Sequence, residues 1–250
     1  MVVMGKGVRR AGRLPRLARG VAAAAAVAVL AGTAVACSSG GGPGSGALAA
    51  DRPDGEVRTS PIADRLAELP AKAEGTTIVV GDPAAPRTAR VMVDPHCGYC
   101  RVFEGAGGEE LLKAAADGKV KVEYLLASFL DQGGSGSLKA VNALRASVDR
   151  GRFAEYHAAV FASQPRGAFT DARLLEIASE VPGLRGAEFD RAVRDMTYRD
   201  WAVRSEAAFE ATGAQGTPLV LVDGEPVGVQ DRSMFDAEAF AETLKGVGIA

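Results

Sequence analysis

Two cysteines three residues apart, Cys97 and Cys100, are the residues of this sequence whose types and spacing point most directly to chemistry. Two thiols at that separation can close into a small disulfide ring when the first lies at the start of a helix. There, unpaired backbone N–H groups and the helix dipole stabilise a thiolate and lower its pKa. Such a thiolate is both a nucleophile and a good leaving group, which thiol–disulfide exchange requires. The motif Cys97-Gly98-Tyr99-Cys100 therefore predicts a redox pair in which Cys97 attacks and the less exposed Cys100 resolves the mixed disulfide.

Two other uses of this cysteine pair fit the sequence less well. A zinc site needs two more ligands, yet the chain has only His96 and His157 as histidines and no second cysteine pair. A purely structural disulfide between residues three apart closes too short a loop to stabilise a fold much. We therefore predict no metal and no organic cofactor, because the cysteine pair is itself the redox centre. His96 lies next to Cys97, where its positive potential is expected to tune the thiolate.

A second chemical signal lies far along the chain, at Gly216-Thr217-Pro218. Proline is tolerated as the first residue of a strand because its missing N–H costs nothing there. Base rates favour an ordinary trans peptide, and only the combination with the upstream cysteine pair makes a cis Thr217–Pro218 bond the better prediction. A cis bond there would let Thr217 present its N–H and C=O to a partner chain.

Together these motifs resemble the extracytoplasmic thioredoxin-fold oxidoreductases of the DsbA and DsbC/DsbG type. The resemblance covers residues 76–250 and rests on Asp94-Pro95-His96-Cys97-Gly98-Tyr99-Cys100, Phe103-Glu104 and Gly216-Thr217-Pro218. It implies an α/β thioredoxin fold with a helical insertion between its two halves, at about residues 131–212. It also implies the site: Cys97 attacks, Cys100 resolves, and Thr217, Pro218 and Tyr99 dock substrate.

The sequence departs from the DsbA pattern inside the motif. Gly98 stands where that type usually has proline, and Tyr99 stands where its prototype has histidine; the Gly-Tyr dipeptide is similar to the DsbC-type isomerases. Without that histidine the thiolate loses one stabilising partner, so we expect a less extreme oxidant than the DsbA prototype. The chain before Thr76 is too short for the dimerisation domain of those isomerases, which predicts a monomer.

The predicted elements place the motifs on one α/β scaffold. β-Branched runs predict strands over 76–80, 88–93, 120–129, 219–222 and 225–229. Helical spacing predicts helices over 61–69, 97–116, 137–150, 152–163, 171–179, 187–212 and 236–245, with Ser60 and Pro61 starting the first one. Glycines 105, 107 and 108 predict a kink in the helix that begins at Cys97. Asp94 either accepts protons or caps the loop before Cys97, and His157 is expected on a helix surface or packed inside it.

Composition and charge exclude several classes of function. The 250 residues are 47% hydrophobic and 24% charged, which is typical of globular domains. Residues 1–36 contain six basic and no acidic side chains; without them, 23 basic residues face 31 acidic ones, a net charge of about −8. An acidic body gives no electrostatic reason to bind nucleic acid.

The N-terminal segment predicts export. Basic residues and then an apolar run over 21–36 form a signal peptide over residues 1–36; the alternative is a short, uncleaved membrane anchor. Ala34-Val35-Ala36-Cys37 resembles a bacterial lipobox, although Ala34 replaces the usual larger aliphatic residue. We therefore predict that Cys37 is lipidated and holds the protein at the outer face of the cell membrane, with secretion as the alternative. Residues 37–60, rich in Gly, Ser, Ala and Pro, form a flexible tether, and residues 61–250 form the thioredoxin-like domain.

The sequence thus predicts an exported thiol–disulfide oxidoreductase. Its partners would be cysteine-containing exported proteins and a redox-recycling protein. The rival hypothesis is a non-catalytic thioredoxin-fold lipoprotein that binds a partner and keeps its cysteine pair as a static disulfide. A third possibility is an electron shuttle to one dedicated partner. The direction of the reaction depends on the reduction potential and on the recycling partner, and the sequence specifies neither.

Overall fold

The computed structural model describes residues 56–249, which contain one six-stranded mixed sheet. The strand order is β1-β2-β4-β3-β5-β6. The central strands β3 and β4 are parallel, and every other neighbouring pair is antiparallel. The strands are β1 (Ala71–Glu74), β2 (Thr77–Val80), β3 (Thr88–Val93), β4 (Lys121–Leu126), β5 (Leu219–Val222) and β6 (Glu225–Pro226).

Nine α-helices cover or flank the sheet within the described residues. They are α1 (Ala63–Leu66), α2 (Gly98–Phe103), α3 (Glu109–Ala116), α4 (Ser137–Val148), α5 (Phe153–Ala162), α6 (Asp171–Ser179), α7 (Ala187–Arg194), α8 (Arg199–Ala211) and α9 (Ala237–Gly246). Short 3₁₀ turns lie at Phe129–Gly133 and Ser233–Phe235. Helices α4 to α8 lie between β4 and β5, which is where the helical insertion was predicted, and the α/β architecture is confirmed.

The central strands form because their apolar residues fit a sheet that is covered on both faces. In β3, Val91, Met92 and Val93 are all buried, and in β4 Tyr124, Leu125 and Leu126 are buried as well. Such continuous apolar runs are typical of strands with two covered faces. The parallel register pairs Val93 with Leu126. Both strands therefore end at the same edge of the sheet, and β3 leads directly into the cysteine motif.

The edge strand β1 is not predicted by the sequence. Its residues, Ala-Lys-Ala-Glu, have low β-propensity and give no signal by themselves. The strand forms because Gly75, with φ of +59°, turns the chain so that Glu74 pairs with Thr77. Pairing across a tight turn thus determines the strand conformation of a segment whose composition does not favour a strand.

The single helix predicted over 187–212 is wrong, because the chain breaks between α7 and α8. Met196 adopts a left-handed conformation with φ of +52°. The buried side chain of Asn142, on α4, fills the break: its amide donates to Ala192 O at 3.1 Å and its oxygen accepts from Tyr198 N at 2.8 Å. Asn142 satisfies backbone groups on both sides of the break, which buried polar groups need.

The first helix also differs from its prediction. It begins at Ala63 rather than Pro61, and Ser60 instead accepts from Ile62 N at 3.2 Å and donates to Glu109 Oε1 at 2.9 Å. Further upstream, Arg58 N donates to Ser163 Oγ at 2.8 Å. The last residues of the predicted tether over 37–60 are thus hydrogen-bonded to the helical insertion. The signal peptide over 1–36, most of the tether and Cys37 lie outside the described residues.

The predicted irregularity in the cysteine helix is confirmed: the helix is distorted at the three glycines. Between α2 and α3 the chain forms a π-helical turn at Glu104–Gly108, and one continuous helical path runs from Gly98 to Ala116. Gly107 is required there because a Cβ would lie 2.6 Å from the backbone oxygen of Met234 and 2.8 Å from the ring of Phe240. The turn therefore lets the segment before α9 pack against the helix that carries both cysteines.

We expect Gly107→Ala to lower the free energy of unfolding by roughly 1–3 kcal/mol, because overpacking against a backbone oxygen forces the chain to shift. Gly105→Ala is the matched control, since its Cβ would meet nothing within 4 Å. That control should leave stability unchanged or raise it by about 0.5–1 kcal/mol through the lower backbone entropy of alanine. Chemical denaturation of both variants measures the difference; equal effects would contradict the packing argument.

Candidate active site

Cys97 lies in the turn that joins β3 to α2, directly before the first helical residue. Its backbone is extended, with φ of −70° and ψ of 120°, and its N–H donates to Asp94 O at 3.0 Å. Its carbonyl accepts the first helical hydrogen bond, from Arg101 N at 3.1 Å. The backbone N–H groups of the first helical turn have no helical acceptor, so they are available to the sulfur of Cys97.

The structure lowers the pKa of Cys97 to about 6. The largest cause is a hydrogen bond from the Cys100 thiol, and the backbone N–H groups of Cys100 and Tyr99 and the Thr217 side chain act in the same direction. Partial burial opposes them by penalising the charge. Cys97 is half-buried, so its sulfur combines a stabilised thiolate with access for a substrate.

Cys100 has the opposite environment. It is fully buried, and burial together with the neighbouring Cys97 raises its pKa far above that of a free thiol. Both cysteines are free thiols here. At neutral pH the pair therefore holds one thiolate at Cys97 and one proton on Cys100, and this proton hydrogen-bonds to the thiolate.

Thr217 and Pro218 lie beside the cysteines, and their peptide bond is cis, as predicted. The antiparallel register pairs Met92 with Leu219, so the residue before β5 lies near the end of β3. The Cys97 thiol donates to Thr217 O at 3.5 Å. Thr217 Oγ1 is buried and has no other hydrogen-bond partner among the described residues, and this side chain lowers the pKa of Cys97.

Asp94 caps the turn before Cys97. Its carboxylate accepts hydrogen bonds from His96 N at 2.9 Å, from Leu130 N at 3.1 Å and from Ser137 Oγ at 2.6 Å. Burial raises the pKa of Asp94, and these hydrogen bonds act against the rise. Of the two interpretations of this residue, the geometry supports capping.

The turn formed by residues 95–99, called the redox turn below, carries two side chains, His96 and Tyr99, that point to different neighbours. The His96 ring contacts the insertion: Nε2 lies 2.7 Å from Gly167 O and the ring meets Phe169 edge-on at 5.8 Å. His96 is not among the causes that lower the pKa of Cys97, so its thiolate-tuning role stays a prediction. Tyr99 is 61% exposed, and its ring centroid lies 5.9 Å from that of Phe235.

Gln164 lies between the helices predicted over 152–163 and 171–179, in a segment to which the sequence assigned no function. Its side-chain Nε2 donates to Pro95 O at 2.8 Å and to Cys97 O at 3.1 Å. Nothing in the local sequence indicates this contact, because the two segments are far apart in the chain. His157, by contrast, is fully buried among aromatic rings, with Nε2 3.1 Å from Glu104 Oε1. It is a packed helix residue, one of the two expected positions.

The part of the chain that the structure describes contains no cluster of three or more His, Cys, Asp or Glu side chains that could hold a metal ion. Within residues 56–249, no helix is both long enough and apolar enough to cross a bilayer.

We expect Cys100→Ala to move the half-maximal rate of Cys97 alkylation from near pH 6 toward pH 9, because the main hydrogen bond to the thiolate is lost. Cys100→Ser is the matched variant: its hydroxyl still donates, so its midpoint should stay closer to 6. At pH 6 the alanine variant should react roughly tenfold more slowly than wild type. Iodoacetamide rates between pH 4 and 10 give the midpoints; identical midpoints for alanine and wild type would rule out this interaction as the main cause.

Comparisons with known proteins agree with this fold. A family model described as thioredoxin matches residues 73–244. The fold resembles MdbA, a thiol-disulfide oxidoreductase from Corynebacterium matruchotii, with a TM-score of 0.58 and 22% identity over 66% of this chain and 91% of that chain. MdbA from Actinomyces oris has a TM-score of 0.59 and 23% identity, over 69% of this chain and 86% of that chain. Oxidised BdbD from Bacillus subtilis has a TM-score of 0.58 and 20% identity, over 71% of this chain and 96% of that chain.

One curated relative matches only a short segment. Hydroxyurea phosphotransferase from Kitasatospora aureofaciens is 72% identical over 32 residues, which are 13% of this chain and 9% of that protein. A stretch of that size carries nothing about the fold or the site described above. The thioredoxin model, in contrast, covers more than half of the 250 residues, including both cysteines and Pro218. This chain belongs to the thioredoxin family.

Proposed function

We propose that this protein is an exported thiol–disulfide oxidoreductase that exchanges disulfides with cysteine-containing proteins through Cys97 and Cys100. The observation that carries the proposal is the asymmetry of the two sulfurs. Cys97 is half-buried with a pKa of about 6, while Cys100 is fully buried with a strongly raised pKa. One sulfur is therefore suited to meet a substrate and the other to complete the exchange.

In the oxidising direction, a substrate thiolate attacks Cys97 Sγ of the Cys97–Cys100 disulfide. The bond between the two enzyme sulfurs breaks, Cys100 leaves and takes up a proton, and a mixed disulfide joins Cys97 to the substrate. A second substrate thiolate then attacks its own disulfide-bound sulfur, and Cys97 leaves as a thiolate. The substrate has lost two electrons and gained a disulfide, and the enzyme has become a dithiol. Stabilising the Cys97 thiolate favours this last step, because a low-pKa thiol leaves faster.

In the reducing direction, the same atoms act in reverse order. The Cys97 thiolate attacks a substrate disulfide, and one substrate sulfur leaves as a thiolate. Cys100 loses its proton and attacks Cys97 Sγ, which releases the second substrate sulfur and closes the enzyme disulfide. The balance between directions is set by the reduction potential and by the protein that recycles the enzyme.

The substrate-docking part of the proposal involves Thr217, Pro218 and Tyr99. The Thr217 carbonyl faces Cys97 and accepts its thiol proton at 3.5 Å. Once Cys97 ionises, its thiol no longer donates to this carbonyl. The carbonyl can then accept a hydrogen bond from a backbone N–H of an extended substrate chain. The exposed ring of Tyr99 and the neighbouring half-buried ring of Phe235 offer aromatic surface beside the turn that carries Cys97. A polypeptide substrate would thus be held by backbone pairing on one side and apolar contact on the other.

The cellular setting is proposed from the sequence alone. The basic and apolar start of residues 1–36 supports export, and the lipobox-like Ala34-Val35-Ala36-Cys37 supports lipidation of Cys37 and anchoring at the outer face of the membrane, with secretion as the alternative. The partners would be exported proteins that contain cysteines and a redox-recycling protein, and the enzyme would act as a monomer. The rival, a static disulfide in a binding protein, needs neither an accessible sulfur nor a lowered pKa.

Turnover and single-cysteine variants test the reaction directly. Reduction of insulin or refolding of a reduced model protein should be lost in Cys97→Ser, because the attacking sulfur is gone. Cys100→Ser should accumulate mixed disulfides with substrate, visible on a non-reducing gel, because the resolving sulfur is missing. If wild type shows no turnover and Cys100→Ser traps nothing, the static-disulfide hypothesis is favoured instead.

A change at Thr217 separates docking from thiolate stabilisation. Thr217→Val removes the hydroxyl that lowers the pKa of Cys97 but keeps the backbone carbonyl. We expect alkylation of Cys97 at pH 5 to slow roughly two- to fivefold, as the loss of one hydrogen bond to a charged group implies, with little change in KM for a cysteine-containing peptide. Thr76→Val, in the β1–β2 turn, is the control and should change neither. A large rise in KM with unchanged alkylation would contradict this assignment.

A further inference from the structure

The loop between α5 and α6 contacts the redox turn at two points. Gln164 Nε2 donates to Pro95 O at 2.8 Å and to Cys97 O at 3.1 Å. Three residues later, Gly167 O lies 2.7 Å from His96 Nε2. Both contacts join the helical insertion to the three residues that end in the attacking cysteine. No other side-chain amide among the described residues hydrogen-bonds to that turn.

The two partners of Gln164 define the orientation of its amide. Both are backbone carbonyls, which only accept hydrogen bonds, so the NH₂ group must face them. Each of its two N–H bonds then has one acceptor, and the donor capacity of the group is fully used. A side chain with no N–H, or with an acceptor in this place, cannot make either bond.

We propose that Gln164 is a positioning residue for the Cys97 thiolate. The carbonyl of Cys97 shares a rigid peptide plane with the N–H of Gly98, so Gln164, together with the Arg101 N–H that donates to the same oxygen, holds the ψ angle of Cys97. That angle decides whether the N–H groups of Tyr99 and Cys100 point toward Sγ, and both lower the pKa of Cys97. The second bond, to Pro95 O, prevents the turn from rotating as a unit.

Hydrogen bonds at Ser163 hold the start of the α5–α6 loop in place, as the positioning of Cys97 by Gln164 requires. The neighbouring Ser163 is buried; its hydroxyl accepts from Arg58 N at 2.8 Å and donates to Arg58 O at 3.1 Å. The guanidinium of Arg173, on α6, donates to Ser163 O at 3.2 Å. Gln164 therefore projects from a fixed backbone. In this arrangement the helical insertion stabilises the reactive form of Cys97 in addition to covering the sheet.

The inference rests on the proposed function, since it concerns the reactivity that the exchange requires, but its test needs no turnover. The reduced full-length protein would be alkylated with iodoacetamide between pH 4 and 9, and the Cys97 peptide quantified by mass spectrometry. If Cys97 has an ordinary pKa in wild type, the proposed function fails. If wild type titrates near pH 6 and the Gln164 variants do too, only the inference fails.

Three substitutions of Gln164 distinguish the effect of its hydrogen-bond donors from the effects of side-chain volume and charge. Gln164→Leu removes both donors at similar volume and should slow alkylation at pH 5 about threefold or more, with a midpoint above that of wild type. Gln164→Glu places a carboxylate against two carbonyls and near the thiolate, so its midpoint should rise further. Gln164→Lys restores N–H donors and should keep the midpoint at or below the wild-type value.

Gln132→Leu is the control, because Gln132 is an exposed glutamine in the 3₁₀ turn after β4. It should titrate as wild type does. Thermal melting checks that each variant is folded; a merely structural Gln164 would lower the melting temperature in all three variants without ordering their midpoints. Midpoints of the leucine and glutamate variants that equal wild type would overturn the proposal, and so would a rise in the lysine variant as large as in the leucine variant.

Discussion

The hydrogen bonds that meet at the sulfur of Cys97 are the interaction on which the rest of this structure depends. They favour the thiolate by placing donors from Cys100, Tyr99 and Thr217 around one charge. Because the folded pKa lies below the ordinary value of 9.0, this charge stabilises the reduced fold above that value, and the stabilisation is lost as the pH falls through about 6. The disulfide has no such charge, so the same donors favour reduction of the pair.

Each element around the site serves to hold those donors in place. The parallel pair β3 and β4 ends at one sheet edge, and Asp94 caps the turn that follows. The π-helical turn at Glu104–Gly108 lets the segment before α9 pack closely on the cysteine helix. Strand β5 pairs with β3 and brings Thr217 to the sulfur. The site is therefore assembled from four separate parts of the chain.

The helical insertion between β4 and β5 does more than cover the sheet, because it also contacts the site. Gln164 and Gly167 contact the redox turn directly, and Asn142 on α4 holds the break between α7 and α8. Both Gln164 and Asn142 act through side-chain amides that satisfy backbone groups of other segments. Such amides are effective there because an unpaired buried backbone group is costly.

The sequence by itself determined the cysteine pair, the Thr217–Pro218 partner, strands β2, β3 and β5 and most of the helices, because each has a local signal in spacing, β-branching or turn residues. Only the tertiary structure decided the edge strand β1, the break at Met196 and the contact of Gln164 with Cys97. Each of those depends on a partner distant in the chain or on pairing across a turn. Local composition carries no information about such partners, since the free energy arises from the contact and not from the segment.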